Sequence, residues 1–457
     1  MQASADSRRA NRSAILHRDL NADMPIAVRG DGPWIVDSTG ARVFDGSGGA
    51  AVSCLGHSHP KVVQAIQEQL GRLAFVHSGA FANEPAEALG RHLVDRAPQG
   101  FGEGALLVVG SGSEAMEAAL KLARQYWIEK GEPARGRIIA RDMAYHGNTL
   151  GALAAGGHPG RRAPYAPLLI DVARIPACHA YRGAEPGETP EAYGLRMADA
   201  LEDKIQELGP DTVCAFLAEP VGGATMGCVP PAPGYFRRLR EICDRYGVLM
   251  IADEVMCGMG RTGTLFAMEQ EGVTADLYTI AKGLGAGYQP IAGVLASEKV
   301  VDAIREGSGA LANGHTYMDH AAACAGALAV LRTIEEDDLL ANVRAMGARL
   351  RKGLETRLGE HPHVGDIRGR GLFQAFEIVA DRATKTPFPP SETLAARFKA
   401  EALAAGLLCY PSAGGVDGVR GDHVLLAPPF ISTEADIDFV AEVCAAVLDR
   451  VLAKAAA

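Results

Sequence analysis

Val248-Leu249-Met250-Ile251-Ala252 is an unbroken apolar run, and it ends on Asp253-Glu254-Val255. A run without polar alternation describes a strand covered on both faces. A carboxylate at the end of such a strand needs a partner, because an unpaired buried charge is costly. The pattern recurs on either side. Val213–Ala218 ends in Glu219-Pro220, and 278–281 ends in Lys282-Gly283-Leu284-Gly285. Ala105–Val109, 137–140 and Ala292–Ala296 are further strand candidates. Amphipathic helices separate them; on 113–130 the residues Met116, Ala119, Leu120, Ala123 and Trp127 recur at helical spacing. The fold class is therefore α/β, with a mostly parallel sheet buried on both faces. In such sheets ligands sit beyond the carboxyl ends of the strands, so those exits are where chemistry is read.

Outward from this centre the texture changes. Trp34-Ile35-Val36, a turn over 37–40, and Val43-Phe44 predict a hairpin, and Pro60 opens a helix with Val63, Ile66 and Leu70 as its apolar positions. Beyond Leu328 a long helical stretch over 329–358 leads to 366–378, which alternates like an exposed sheet. Helical patterns follow near 392–405 and 434–452. The expected division is a large domain over 73–328 and a smaller α+β domain joining 1–72 to 329–457. Residues 1–14 are polar and expected to fray.

Bulk properties narrow the function. The chain has 457 residues, enough for two domains, with 48% hydrophobic and 22% charged residues, as in ordinary globular proteins. A net charge of −10 with no basic block argues against nucleic acid as a partner. The nine cysteines form no CxxC pair and no cluster with zinc spacing, so no metal is expected and the thiols read as reduced. The N-terminus lacks the apolar core of a secretory signal, and no stretch reaches the roughly 18–20 apolar residues of a membrane span. The expected address is the cytoplasm.

The strand exits carry the candidate chemistry. After Ala105–Val109 comes Gly110-Ser111-Gly112-Ser113-Glu114, opening a helix. Small residues at a helix N-terminus cradle an anion, although a serine cap on a structural turn uses the same residues. After 137–140 come Tyr145-His146-Gly147-Asn148, whose aromatic rings can stack on a flat ligand or pack in the loop. Glu219 and Asp253 read either as site acids or as ordinary caps and ion pairs. Lys282 either snorkels to solvent or sits in a low-dielectric pocket with a lowered pKa, suited to a Schiff base. Together, a phosphate cradle, a stacking aromatic, an acid and a lysine make the set of parts that pyridoxal phosphate (PLP) requires.

These stretches, with Gly260-Arg261-Thr262-Gly263 and Ala281-Lys282-Gly283, resemble the class III aminotransferases, PLP-dependent transferases of fold type I. The resemblance runs from Gly32-Pro33-Trp34 to Leu425-Leu426-Ala427-Pro428-Pro429. It implies a seven-stranded-type large-domain sheet, and Lys282 as the Schiff-base residue and base. Asp253 would pair with the pyridine nitrogen. Ser111, Gly112 and Ser113 would hold the phosphate. Tyr145 and Val255 would lie on opposite ring faces, with His146 and Glu219 beside the ring. Lys282, Asp253 and Tyr145 are the catalytic candidates. Thr316 would reach the phosphate of a neighbouring subunit, in a homodimer with shared active sites. Met256-Cys257-Gly258-Met259 departs from the aromatic-containing turn commoner in the family. In the long glycine-rich segment 410–421, Arg420 is the expected partner for an acceptor's carboxylate.

The expected reaction is a ping-pong transfer of an amino group from an amino acid or ω-amine to a 2-oxo acid, with pyruvate favoured. The rivals are a PLP-dependent decarboxylase or aminomutase on the same fold, and a catalytically silent binding paralogue.

Overall fold

A computed structural model of the chain describes residues 13–22 and 24–453, so most of the terminus expected to fray lies outside the described residues. At the N-terminal end β1 (Ala27–Asp31), β2 (Trp34–Asp37) and β3 (Arg42–Asp45) form a meander, with the expected hairpin at its heart. The central sheet comprises β4 (Ala105–Val109), β5 (Arg137–Arg141), β6 (Ala173–Ile175), β7 (Val213–Ala218), β8 (Leu249–Asp253), β9 (Leu277–Ile280) and β10 (Ala292–Ala296). It has seven strands in the order β4-β10-β9-β8-β7-β5-β6. Strand β10 is antiparallel to both its neighbours, while the pairs from β9 to β6 are parallel.

The apolar runs are buried for the reason the sequence suggested. Alternate side chains point to opposite faces of a strand. Phe216, Met250 and Tyr278 enter one core with Met197 and Leu239 from helices on that side. Leu217, Ile251 and Leu277 enter a second core with Met116 and Leu122.

A third core lies under the two smaller sheets. One sheet is antiparallel, with order β11 (Val364–Arg370), β12 (Phe373–Ile378), β15 (Asp422–Leu426) and β14 (Tyr410–Ser412). The other is completed by β13 (Leu407–Leu408), which pairs in parallel with β3. On this pairing and this shared core we propose the division of 73–328 against 1–72 with 329–457.

Three local expectations differ. The stretch 329–358 is two helices, Ala321–Glu336 and Leu339–Leu358, separated at Asp337-Asp338, where Asp338 adopts a left-handed φ of 47°. The stretch 366–378 is a hairpin whose β12 is wholly buried, because Phe376 and Ile378 pack under helix Leu339–Leu358 while Phe373 and Ala375 on the other face pack with Val221, Cys228 and Met256. The helix Pro60–Arg72 buries Val62, Ile66 and Gln69, and leaves Leu70 half exposed.

The turn between β11 and β12 ties this region to the central sheet. Gly371 adopts φ +54°, and a Cβ there would lie 2.7 Å from the Thr262 carbonyl carbon. On its other side a Cβ at Gly347, in helix Leu339–Leu358, would overlap the Gly371 backbone. Gly347→Ala should therefore destabilise the protein by about 1–3 kcal/mol through overpacking, read as a lowered urea midpoint with an unchanged m-value. An unchanged midpoint would show that this contact yields freely.

Candidate active site

The exits of β4, β5, β7, β8 and β9 surround one cavity of about 390 Å³. Its wall includes Ser111, Gly112, Ser113, Tyr145, His146, Glu219, Asp253, Val255 and Lys282, so nine of the expected residues come together. Val52, Met256 and the stretch Gln289-Pro290-Ile291 complete it.

At the β4 exit the helix Gly112–Glu129 begins. The Ser111 hydroxyl accepts from Glu114 N at 3.3 Å, and the Glu114 carboxylate accepts from Gly110 N at 2.7 Å. The serine caps the helix, and Gly112 and Ser113, whose N–H groups have no intrahelical partner, line the cavity. A Cβ at Gly112 would lie 3.1 Å from a Val255 methyl, so a side chain there would require Val255 to give way. The Ser113 Oγ accepts from Asn148 N at 2.9 Å, which leaves its proton to donate elsewhere.

The β5 exit loop is brought against that helix at Gly147. Its φ is +136°, and a Cβ would lie 2.7 Å from Ser113 Oγ, so only glycine fits. Glu219, at the β7 exit, braces the same loop. Its Oε1 accepts from Tyr145 N at 3.1 Å and its Oε2 from Gly223 N at 2.9 Å. Burial pushes the Glu219 carboxyl above the usual range, while His146 and Arg141 oppose the shift.

Asp253 is 4% exposed and fully partnered. Its Oδ2 lies 2.7 Å from His146 Nδ1, and its Oδ1 accepts from Val255 N at 3.0 Å and Thr279 Oγ1 at 3.1 Å. His146 thus reaches Asp253 through a ring nitrogen. Thr279 was missed, because a threonine inside a strand carries no signal of its own. Glu254, beside Asp253, faces away. It accepts from Ala267 N at 2.6 Å and Met268 N at 2.9 Å, and burial raises its carboxyl to about 8.

Lys282 leaves β9 with a left-handed φ of 46°, a strained conformation for a non-glycine residue that is typical of functional sites. No described residue hydrogen-bonds its ammonium. Surrounding protein lowers its pKa to about 8 by burial, against the opposing pull of Asp253 and Glu219. The loop after Asp253 is fixed by Arg261, which is buried, donates to Leu372 O at 3.0 Å and Pro428 O at 2.6 Å, and lies over Phe430.

Two expected residues lie elsewhere. Thr316 is exposed and outside the cavity wall. Arg420 is at the surface, its side chain 57% exposed, with Nε 2.7 Å from Asp417 Oδ2. The structure does not bring it to the cavity.

Known proteins share this architecture. The sequence profile of the aminotransferase class-III family matches residues 18–448. An uncharacterized aminotransferase of Schizosaccharomyces pombe is 44% identical over 429 residues, covering 94% of this chain and 93% of its own length. An (S)-enantioselective ω-transaminase from Thermomicrobium roseum superposes with a TM-score of 0.90 at 34% identity, over 99% of both chains. The ω-transaminase of Pseudomonas jessenii in complex with PMP does so with a TM-score of 0.90 at 31% identity, over 97% of both chains.

The lowered Lys282 pKa has a sign that can be checked. An amine attacks an aldehyde only when neutral, and the neutral fraction grows as pH rises. The rate at which the apoprotein takes up pyridoxal phosphate, followed by absorbance, should climb about ten-fold per pH unit below about 8 and level off above it. A rise that continues toward pH 10 would show an ordinary, solvated lysine.

Proposed function

Since the chain belongs to the class-III aminotransferases, PLP-dependent enzymes of fold type I, we propose that it moves an amino group from an amino acid or ω-amine to a 2-oxo acid, pyruvate being the favoured acceptor. The observation that carries this reading is the convergence of Lys282, Asp253 and the Gly112 helix terminus on one cavity.

The residues present fit the cofactor. The N–H groups of Gly112 and Ser113 and the Ser113 hydroxyl suit its phosphate. The missing Cβ of Gly112 leaves a slot beside Val255, and Tyr145 supplies an aromatic wall. Asp253, fixed by His146 and Thr279, is set to hold a protonated ring nitrogen. When bound, the cofactor supplies an electrophilic carbon and a ring that takes up the electron pair of a breaking C–H bond.

The protein's share is positioning and proton transfer. The Lys282 Nζ, whose pKa burial lowers to about 8, would take the proton from the donor's carbon and would deliver it to the cofactor's carbon on the other side of the transferred nitrogen. Asp253 keeps the positive charge on the ring nitrogen that this step needs. Val52, Met256 and Ile291 give the cavity an apolar wall beside these groups. One cavity serves both donor and acceptor, which supports their taking turns in a ping-pong order.

We place the active form as a homodimer, in which the exposed Thr316 reaches the phosphate site of a second copy. The nine cysteines are free and buried, which supports a reducing, cytoplasmic address.

Appearance of a keto product from the donor together with an aminated acceptor distinguishes transfer from decarboxylation or amino-group migration. No turnover with any donor would point to a silent paralogue. Lys282→Ala should retain the fold by circular dichroism and lose turnover by about 10⁴-fold or more. Borohydride should leave the cofactor's mass on Lys282 of the wild type; an adduct on another lysine would remove Lys282 from this role. Asp253→Asn should bind cofactor yet lose about 3–4 kcal/mol of transition-state stabilisation, read from kcat/KM. Near-normal turnover would mean that another acid holds the ring nitrogen.

A further inference from the structure

Tyr145 lines the cavity, and packed on it from outside the wall is a cation with no counter-ion among the described residues. Arg161 sits on the short turn Pro159–Arg162, half-buried, with its Cζ 4.8 Å from the centre of the Tyr145 ring. Its guanidinium makes no hydrogen bond or ion pair with any described residue. Its charge acts on Tyr145 and Lys282 in the cavity wall, and on His158 and His423 behind it. Burial lowers the pKa of both histidines, His423 to about 3, so they do not add to the charge. Arg18, the other cation acting on Tyr145, is exposed to solvent.

The fold places Arg161 there through a close backbone approach. A Cβ at Gly160 would lie 2.6 Å from Gly418 O, and one at Gly414 would lie 3.2 Å from His158 Nε2. The turn carrying Arg161 therefore packs against the glycine-rich segment that carries Arg420. Within that segment Asp417 accepts from Val419 N at 3.0 Å, Arg420 N at 2.7 Å and Arg420 Nε at 2.7 Å. These bonds hold Asp417 down to about 2 and keep Arg420 on it.

We propose that Arg161 receives the substrate's carboxylate at the cavity mouth beside Tyr145. This rests on the aminotransferase reading and deepens it: the substrates of this site, donor or acceptor, carry a carboxylate near the reacting carbon. A carboxylate entering an apolar cavity loses water and needs a charged, bidentate donor in return, which a guanidinium supplies. An aromatic face under the guanidinium holds the side chain in place between substrates.

The test is titration of the holoenzyme with propionate, an unreactive carboxylate, read from the cofactor's visible absorbance. Arg161→Gln should weaken propionate by about 30-fold or more, and Arg161→Lys should recover part of the loss. In steady state the KM for pyruvate should rise similarly with a smaller change in kcat. The half-reaction with 1-phenylethylamine, which has no carboxylate, should suffer far less. Equal propionate binding by wild type and Arg161→Gln, no propionate binding by wild type, or the selective loss appearing in Arg420→Gln would each overturn the assignment. If the wild type transfers no amino group to any 2-oxo acid, the aminotransferase reading falls, while the propionate titration still decides Arg161.

Discussion

Asp253 ends a strand buried on both faces, and three donors converge on its carboxyl there. Each donor fixes a different part of the fold. Thr279 fixes the register of β9 against β8, where Asp253 and Thr279 face each other. Val255 N fixes the turn that leads to Arg261. His146 fixes the β5 exit loop, with Glu219 holding the same loop by its backbone. Lys282 leaves β9 shortly after Thr279, so the acid and the lysine are positioned by one pair of neighbouring strands. An apolar residue in place of Asp253 would release all three elements at once.

Most of the fold was legible because the runs 105–109, 213–218 and 292–296 are apolar throughout and end abruptly on polar residues. Burial on both faces leaves that mark whatever the rest of the chain does. Direction leaves no such mark, so β10 reads like its neighbours although it runs against them. The short strands β6 and β13 owe their pairing to partners far along the chain and have no pattern of their own. The break at Asp337-Asp338 was missed because helical periodicity continues through it, and the kink lies in the backbone angle of Asp338.

The site was legible where a residue is chemically unusual for its place. A lysine and an acid directly after buried strands are such residues. Thr279 and Arg161 are unremarkable in sequence, and only the approach of distant segments gives them a role. Arg420 shows the converse. It is the one cation in a glycine-rich segment, yet Asp417, three residues earlier, meets it first.

The parallel pairing of Leu407 with Phe44 joins the two ends of the chain. A nascent chain emerging from the ribosome can complete the central sheet, whose last strand ends at Ala296, well before Leu407 is made. Until then β3 keeps an open edge, and Phe44, Val62 and Ile66 lack the C-terminal side chains that cover them. A chain that stops short of Leu407 would keep that apolar flank uncovered, a surface for chaperones to hold and a route to aggregation.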